Sequence, residues 1–148
     1  TLNKMYEMDT SIKYGATEID MVMNIGYFKD GKFEYVSDEI SRMVQNAQGN
    51  IIKVIIETGL LSKEEIQNAS KLVEESGAHF VKTSTGFSFF GALPETIKLI
   101  KKSLLSTTQI KASGGITSLK QLREILDAGS NRIGTSSSVI IMKELSDN

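Results

Sequence analysis

The sequence predicts an α/β fold of the (β/α)8 TIM-barrel type, here with about five βα units around a parallel sheet. Three observations support this prediction. Strand-like and helix-like stretches alternate along the chain, and successive strand candidates begin about 30 residues apart, the size of one βα unit. Each strand candidate also has one mostly apolar face and one face that carries an ionisable side chain.

The strand candidates are rich in β-branched residues, which favour the pleated surface of a sheet. They are "TEIDMVMNI" from Thr17, "IIKVIIE" from Ile51, "HFVKTS" from His79, "TQIKAS" from Thr108 and "NRIGTS" from Asn131. The stretches between them have helical periodicity and are long enough for connecting helices.

Capping residues mark where several of these helices begin and end. Ser62 and Glu65 form a predicted capping box, and Gly77 follows the same helix as its closing residue. The stretch "SLKQLREILDAG" predicts a similar helix, and Pro94 suits the first turn of another. A further helix is predicted over residues 1–14, ahead of the first strand.

Two architectures contain regular βα repeats: an open doubly wound sheet and a (β/α)8 barrel. In the second strand candidate, Ile52 and Val54 lie on one face, opposite Lys53 and Glu57. A sheet covered by helices on both faces would have near-continuous apolar strands, so a barrel with a polar centre is favoured. Since a complete barrel has eight strands and about 250 residues, we expect residues 1–148 to form a single domain equivalent to the later part of a barrel.

The composition excludes several kinds of site and partner. The chain has 148 residues, 40% of them hydrophobic, and a formal net charge of −1, as expected of a cytoplasmic globular protein that does not bind nucleic acid. Its longest apolar runs are far too short to cross a bilayer, so no membrane association is predicted. With no cysteine and one histidine, it lacks the residues for a disulfide framework, a thiolate nucleophile or a Cys/His zinc site.

The polar face of the predicted sheet is rich in charged residues. Strand alternation directs six ionisable side chains toward the barrel centre: Asp20, Lys53, Glu57, Lys82, Lys111 and Arg132. Four of them are cationic and two are anionic, so the centre has an excess of two positive charges. Because buried charges must be compensated, a dianionic phosphate group on a ligand would balance this excess.

Lys82 and Lys111 lie on neighbouring predicted strands at similar depth. A second cation and partial desolvation both favour the uncharged form of an amine, which can attack a carbonyl carbon and form a Schiff base. Asp20 is the inward carboxylate best placed to transfer protons. The alternative is a structural ion-pair network, but two lysines and an aspartate together favour catalysis. Alternation alone leaves open which lysine is the nucleophile.

Small residues follow three of the predicted strands, in "STGF", "SGGI" and "GTSSS". Exposed backbone N–H groups and helix N-termini at such positions favour an anion, and barrel enzymes often bind phosphate on their last two loops. Phe87, Phe89 and Phe90 could close over a ligand, pack in the core or form a subunit contact.

Five stretches closely resemble, in order, the motifs of the deoxyribose-phosphate aldolase family. They are "GATEIDMVMNIG", "KVIIETGLL", "FVKTSTGF", "IKASGGI" and "RIGTSSS". The resemblance implies a class I aldolase on a (β/α)8 barrel that requires no metal or other cofactor. Such an enzyme cleaves the phosphosugar 2-deoxy-D-ribose 5-phosphate to D-glyceraldehyde 3-phosphate and acetaldehyde through a lysine Schiff base.

The resemblance also implies roles for individual residues. Lys82 would form the Schiff base, Lys111 would keep that amine uncharged, and Asp20 would belong to the proton relay. The phosphate-binding positions would be Gly86, Gly114, Gly115, Ser136 and Ser137.

The sequence departs from the family pattern in two places. The stretch "SFFGA" stands where many relatives are rich in glycine, which predicts a stiffer or differently packed loop. The first three βα units of the family have no counterpart, so open sheet edges would need a covering such as a homo-oligomer partner. Two alternative functions follow: a catalytically silent module for phosphate binding or assembly, and another phosphosugar barrel enzyme such as an isomerase.

Overall fold

The computed structural model of the protein describes residues 1–88, 91–105 and 107–146. Within these ranges five parallel strands form one sheet in chain order: β1 (Glu18–Val22), β2 (Ile51–Ile55), β3 (Phe80–Lys82), β4 (Gln109–Ser113) and β5 (Arg132–Gly134). The helices are α1 (Leu2–Lys13), α2 (Ile25–Lys29), α3 (Phe33–Asn46), α4 (Lys63–Glu75), α5 (Pro94–Ser103), α6 (Leu119–Asp127) and α7 (Ser138–Ser146). The predicted α/β fold with a parallel sheet is confirmed.

All five predicted strands exist, but each is shorter than its sequence pattern. After β1, the Asn24 side chain accepts a hydrogen bond from the Tyr27 backbone N–H at 3.1 Å and caps α2 instead of continuing the strand. β2 likewise ends at Ile55, two residues before the predicted end at Glu57. The residues beyond each strand therefore belong to loops at the carboxyl edge of the sheet.

The predicted helix signals are confirmed. Ser62 and Glu65 form both hydrogen bonds of a capping box at the start of α4, and Pro94 occupies the first turn of α5. Gly77 follows α4 with a φ of 82°, and Gly129 follows α6 with a φ of 114°, a backbone region that favours glycine. Among the described residues, no helix is long and apolar enough to span a membrane.

The hydrophobic core lies between the sheet and its helices. Ile52 and Val54 of β2 are fully buried, and so are Ile40 of α3 and Ile97 of α5. Arg132 of β5 hydrogen-bonds Glu18 of β1, although these strands stand at opposite ends of the sheet order. The sheet therefore curves so that its outer strands face each other across a polar interior, as a barrel-type architecture requires.

Two loops at the carboxyl edge contact each other through glycine. The backbone N–H of Ala92 donates a 2.9 Å hydrogen bond to the carbonyl oxygen of Gly114, and a Cβ atom on the preceding Gly91 would overlap that oxygen. Only glycine at position 91 allows the loop after β3 to pack this closely on the loop after β4.

We expect Gly91→Ala to destabilise the protein by about 1–3 kcal/mol, because the added methyl group must displace backbone atoms of the Gly114 loop. Gly26→Ala is the matched control, since its Cβ would meet only the Asn24 side chain at an ordinary 3.7 Å. Urea unfolding of both variants measures the difference. Equal stability of the two variants would contradict the close packing of these loops.

Candidate active site

One carboxylate on the inward face of the curved sheet binds three lysines. Asp20 of β1 accepts a hydrogen bond from Lys53 Nζ on Oδ1 at 3.0 Å. Its Oδ2 accepts hydrogen bonds from Lys82 Nζ at 2.8 Å and from Lys111 Nζ at 2.7 Å. The predicted site residues Asp20, Lys82 and Lys111 are therefore in direct contact.

Strand register aligns these side chains in two pairs. Asp20 is aligned with Lys53 in the β1–β2 pair, and Lys82 is aligned with Lys111 in the β3–β4 pair. Aligned residues on neighbouring parallel strands point to the same face, so their side chains enter the interior at matching depth. Because both Lys82 and Lys111 bond the same oxygen, their nitrogens can be no farther apart than those two short distances combined.

Glu18 is a second interior carboxylate, and the sequence analysis missed it. Its Oε2 accepts a hydrogen bond from Lys53 Nζ at 2.6 Å and another from Arg132 Nη1. The signal was available, because Glu18 lies two residues before Asp20 and therefore on the same face of β1.

The prediction that Glu57 joins this charged cluster is wrong. β2 ends at Ile55, and Glu57 has a φ of 53°, so it no longer follows the alternation of the strand. Its buried carboxylate instead accepts hydrogen bonds from the loop after β3: from Thr85 N at 3.2 Å, Thr85 Oγ1 at 2.6 Å and Ser88 Oγ at 2.9 Å.

The predicted excess of two positive charges nevertheless stands, with Glu18 in the place of Glu57. The cluster contains four cations and two carboxylates: Lys53, Lys82, Lys111 and Arg132 with Glu18 and Asp20. The side chains of Lys53, Lys82 and Lys111 are 4%, 12% and 17% exposed. Solvent screens such charges weakly, so an anionic ligand would bind here with a favourable electrostatic energy.

The Asp20 carboxyl titrates in an unusual range. Burial by itself raises the pKa of Asp20, but hydrogen bonds from Lys111, Lys82 and Lys53 outweigh burial and hold that pKa well below its usual range. Asp20 is therefore ionised at neutral pH and is a fixed counterion for Lys53, Lys82 and Lys111.

A cavity of about 440 Å³ lies over Lys82 and Lys111. Loop residues line the rest of it: Thr85, Gly86, Phe87, Ser113, Gly114, Gly115, Ile116, Thr117, Gly134, Thr135 and Ser136. Four of the five predicted phosphate positions are in this lining. The fifth, Ser137, is outside it, and its backbone N–H donates to Thr135 Oγ1 at 2.9 Å.

The loops of the cavity have backbone conformations that suit glycine. Gly86, Gly114 and Gly115 have φ values of 100°, 94° and 73°. Phe87 is 98% exposed beside Gly86, which excludes it from the core of this chain. Phe89 and Phe90 lie outside the described residues.

In the described part of the chain, the His, Cys, Asp and Glu residues form no group of three or more that could hold a metal ion. His79 precedes β3, at the opposite end from the loop after Lys82, and its Nδ1 accepts a hydrogen bond from the Ile52 backbone N–H at 3.1 Å. This hydrogen bond to the backbone gives His79 a structural role.

Comparison with known proteins places these features in a family. A deoxyribose-phosphate aldolase from Staphylococcus haemolyticus is 51% identical over 145 residues, which cover 98% of this chain and 66% of that relative. The solved structure named QR15, an aldolase, superposes with a TM-score of 0.93 at 39% identity over 97% of this chain and 65% of that one. A tetrameric deoxyribose phosphate aldolase from Aeropyrum pernix superposes with a TM-score of 0.86 at 32% identity, over 97% of this chain and 61% of that one.

This chain therefore spans just under two thirds of the length of the Staphylococcus haemolyticus relative. The family described as DeoC/LacD family aldolase matches residues 2–139, which is nearly the whole chain. The chain belongs to the DeoC/LacD aldolase family.

Proposed function

We propose that this chain carries the catalytic centre of a deoxyribose-phosphate aldolase. Its substrate would be 2-deoxy-D-ribose 5-phosphate, and its products D-glyceraldehyde 3-phosphate and acetaldehyde. The observation that carries the proposal is the sharing of one Asp20 oxygen by Lys82 and Lys111 beneath the cavity. Two amines within hydrogen-bond distance of one carboxylate are the groups that Schiff-base chemistry and proton transfer need.

The proposed reaction begins with the uncharged amine of Lys82. Its nitrogen attacks the C1 aldehyde of the open-chain sugar, and the hydroxyl of the resulting carbinolamine takes up a proton and leaves as water, which gives an iminium ion. Removal of the proton from the C3 hydroxyl breaks the C2–C3 bond and releases D-glyceraldehyde 3-phosphate, while the electron pair of that bond moves onto the iminium nitrogen to give an enamine. Protonation of C2 and hydrolysis then release acetaldehyde and restore the lysine.

Asp20 and Lys111 supply the proton transfers in this proposal. The ionised Asp20 carboxylate contacts both nitrogens, so a proton can leave Lys82 without crossing bulk solvent. Lys111 bonds the same Asp20 oxygen as Lys82, so the two amines share one counterion. Asp20 and Lys111 thus act on the same amine from one side of the cavity.

The phosphate group would bind at the loop end of the cavity. Gly86, Gly114, Gly115 and Ser136 line that end, and Ser137 comes directly before the N-terminus of α7. A helix N-terminus and backbone N–H groups favour an anion, and the cluster below has two positive charges in excess. Both features support a phosphorylated substrate.

Further properties of the protein are part of the same proposal. Residues 1–148 form one domain of a cytoplasmic enzyme that binds a phosphosugar, and neither nucleic acid nor a membrane. The sheet order ends at β1 and β5, whose outer edges pair with no other strand in the described residues. Contact between copies of the chain would cover such edges.

The same edges favour a second candidate function. If the site does not turn over its substrate, the chain would act as a phosphate-binding or assembly module. In that case phosphate would raise the melting temperature while no substrate adduct forms on Lys82.

Incubation with 2-deoxyribose 5-phosphate and borohydride should leave a reduced adduct on Lys82, because borohydride reduces an iminium to a stable amine. Peptide mass spectrometry locates the adduct. Lys82→Met should abolish it, and Lys111→Met should slow its formation by about 10²-fold or more. Lys102→Met, an exposed lysine on α5, is the matched control and should react like the wild type. A folded wild-type protein with Lys82 unmodified would refute the proposed function.

Asp20→Asn should destabilise the protein by about 1–3 kcal/mol at pH 7, between the values for exposed and buried ion pairs. The Asp20 pKa is lowered on folding, so its contribution is complete above the unfolded pKa of about 4 and is lost as the pH falls further. The difference from wild type should therefore shrink below pH 4.

Urea unfolding at several pH values measures this difference. Asp38→Asn is the control, because Asp38 is an exposed residue whose Arg42 partner lies 3.6 Å away, and its effect should stay within about 0.5 kcal/mol. A difference between Asp20→Asn and wild type that stays constant down to pH 3 would contradict the assigned role of Asp20.

A further inference from the structure

Glu57 connects the end of β2 to the loop after β3. Its side chain lies among the buried residues, yet its contacts are polar: the carboxylate accepts from the Thr85 backbone N–H, the Thr85 hydroxyl and the Ser88 hydroxyl. The Thr85 Oγ1 in turn accepts the backbone N–H of Phe87 at 3.2 Å. One carboxylate therefore fixes the turn formed by residues 85–88.

The backbone of Glu57 has an unfavourable conformation. Its φ of 53° and ψ of 65° lie in the left-handed region, where glycine has no penalty but other residues do. Among the described residues, Gln48 is the other non-glycine residue with positive φ, and it is exposed in the turn before β2. A side chain at position 57 is not needed to make the turn, so its value lies in the hydrogen bonds of its carboxylate.

The turn held by Glu57 is one wall of the cavity. Thr85, Gly86 and Phe87 line it beside Lys82, and none of them has a charged side chain. The N–H and hydroxyl of Thr85 donate to Glu57, and the Phe87 N–H donates to Thr85, so the Gly86 N–H is the backbone donor on this wall that can point at an anion. Its direction depends on the conformation of the turn. A turn that moves freely would bind an anion weakly, since ordering it would reduce the affinity.

We propose that Glu57 is a positioning residue that holds the turn of residues 85–88 in the conformation that binds the substrate phosphate. The identity of the ligand in this proposal rests on the proposed function. The hydrogen bonds between Glu57 and the turn do not depend on that function. Lys82 and Lys111 form their ion pairs with Asp20, whereas the Glu57 carboxylate bonds Thr85 and Ser88, so Glu57 acts on binding rather than on the amine.

Glu57→Gly separates the two roles of this position. Glycine favours the left-handed backbone but removes the carboxylate, so the turn should lose its anchor without new backbone strain. Glu57→Gln keeps the size of the side chain and one acceptor oxygen. It replaces Glu57→Gly as the test variant if the glycine variant does not fold. Gln48→Gly is the matched control, because it relieves the same kind of backbone conformation away from the cavity.

Hydrogen–deuterium exchange of the full chain, with and without inorganic phosphate, tests the proposal. In Glu57→Gly the peptide that contains residues 85–88 should exchange about tenfold faster, and the apparent Kd for phosphate should rise about tenfold or more. Glu57→Gln should show a smaller change in the same direction, and Gln48→Gly should match the wild type in this peptide. In wild type, phosphate should slow the exchange of the same peptide.

Borohydride trapping of acetaldehyde on Lys82 distinguishes this proposal from the proposed function, because acetaldehyde has no phosphate. In the Glu57 variants, the yield of the acetaldehyde adduct on Lys82 should fall far less than the affinity for phosphate. If borohydride leaves no acetaldehyde adduct on wild-type Lys82, the aldolase proposal fails. Hydrogen–deuterium exchange of the turn still decides the role of Glu57 in that case. Unchanged exchange and unchanged phosphate affinity in a folded Glu57→Gly variant would overturn the inference. Wild-type exchange that does not respond to phosphate would overturn its anion-binding part.

Discussion

The carboxylate of Asp20 is the interaction on which the rest of the site depends. It binds lysines from three neighbouring strands, and without it Lys53, Lys82 and Lys111 would repel one another in a poorly solvated interior. The lysines in turn keep Asp20 ionised despite its partial burial. The carboxylate and the amines therefore stabilise one another in this interior.

The fold makes this cluster possible by separating the two faces of the sheet. The outward face packs against the helices and supplies the hydrophobic core, which frees the inward face for charged side chains. Parallel register aligns Asp20 with Lys53 and Lys82 with Lys111, and the curvature of the sheet brings the second pair, which lies two residues farther along the strands, onto the same carboxylate. The same parallel arrangement places every strand-to-helix loop at one edge, where the glycine-rich turns face the lysines.

Charge and loop structure act at different ends of the cavity. The cluster at its floor provides an excess of two positive charges, whereas the described walls above it present glycines, hydroxyl groups and backbone N–H groups. Charge attracts an anion over several ångströms, but only the loop backbone can fix its orientation. Hydrogen bonds such as those of Glu57 to Thr85, and the contact between Ala92 and Gly114, therefore matter to the site although neither involves the amines.

The sequence by itself determined the strands, the helix caps and the face on which each strand residue lies, because these depend on local periodicity and on capping within a few residues. It therefore placed Lys82 beside Lys111 and both near Asp20, and the resemblance of its motifs indicated the family. Only the tertiary structure decided where the strands stop. Alternation holds only while a strand continues, so Glu57 does not belong to the charged cluster. Ser137, which the motif resemblance implied as a phosphate position, lies outside the cavity lining. The tertiary structure also decided that Glu18 joins the cluster, since its partner Arg132 comes from the strand at the far end of the sheet.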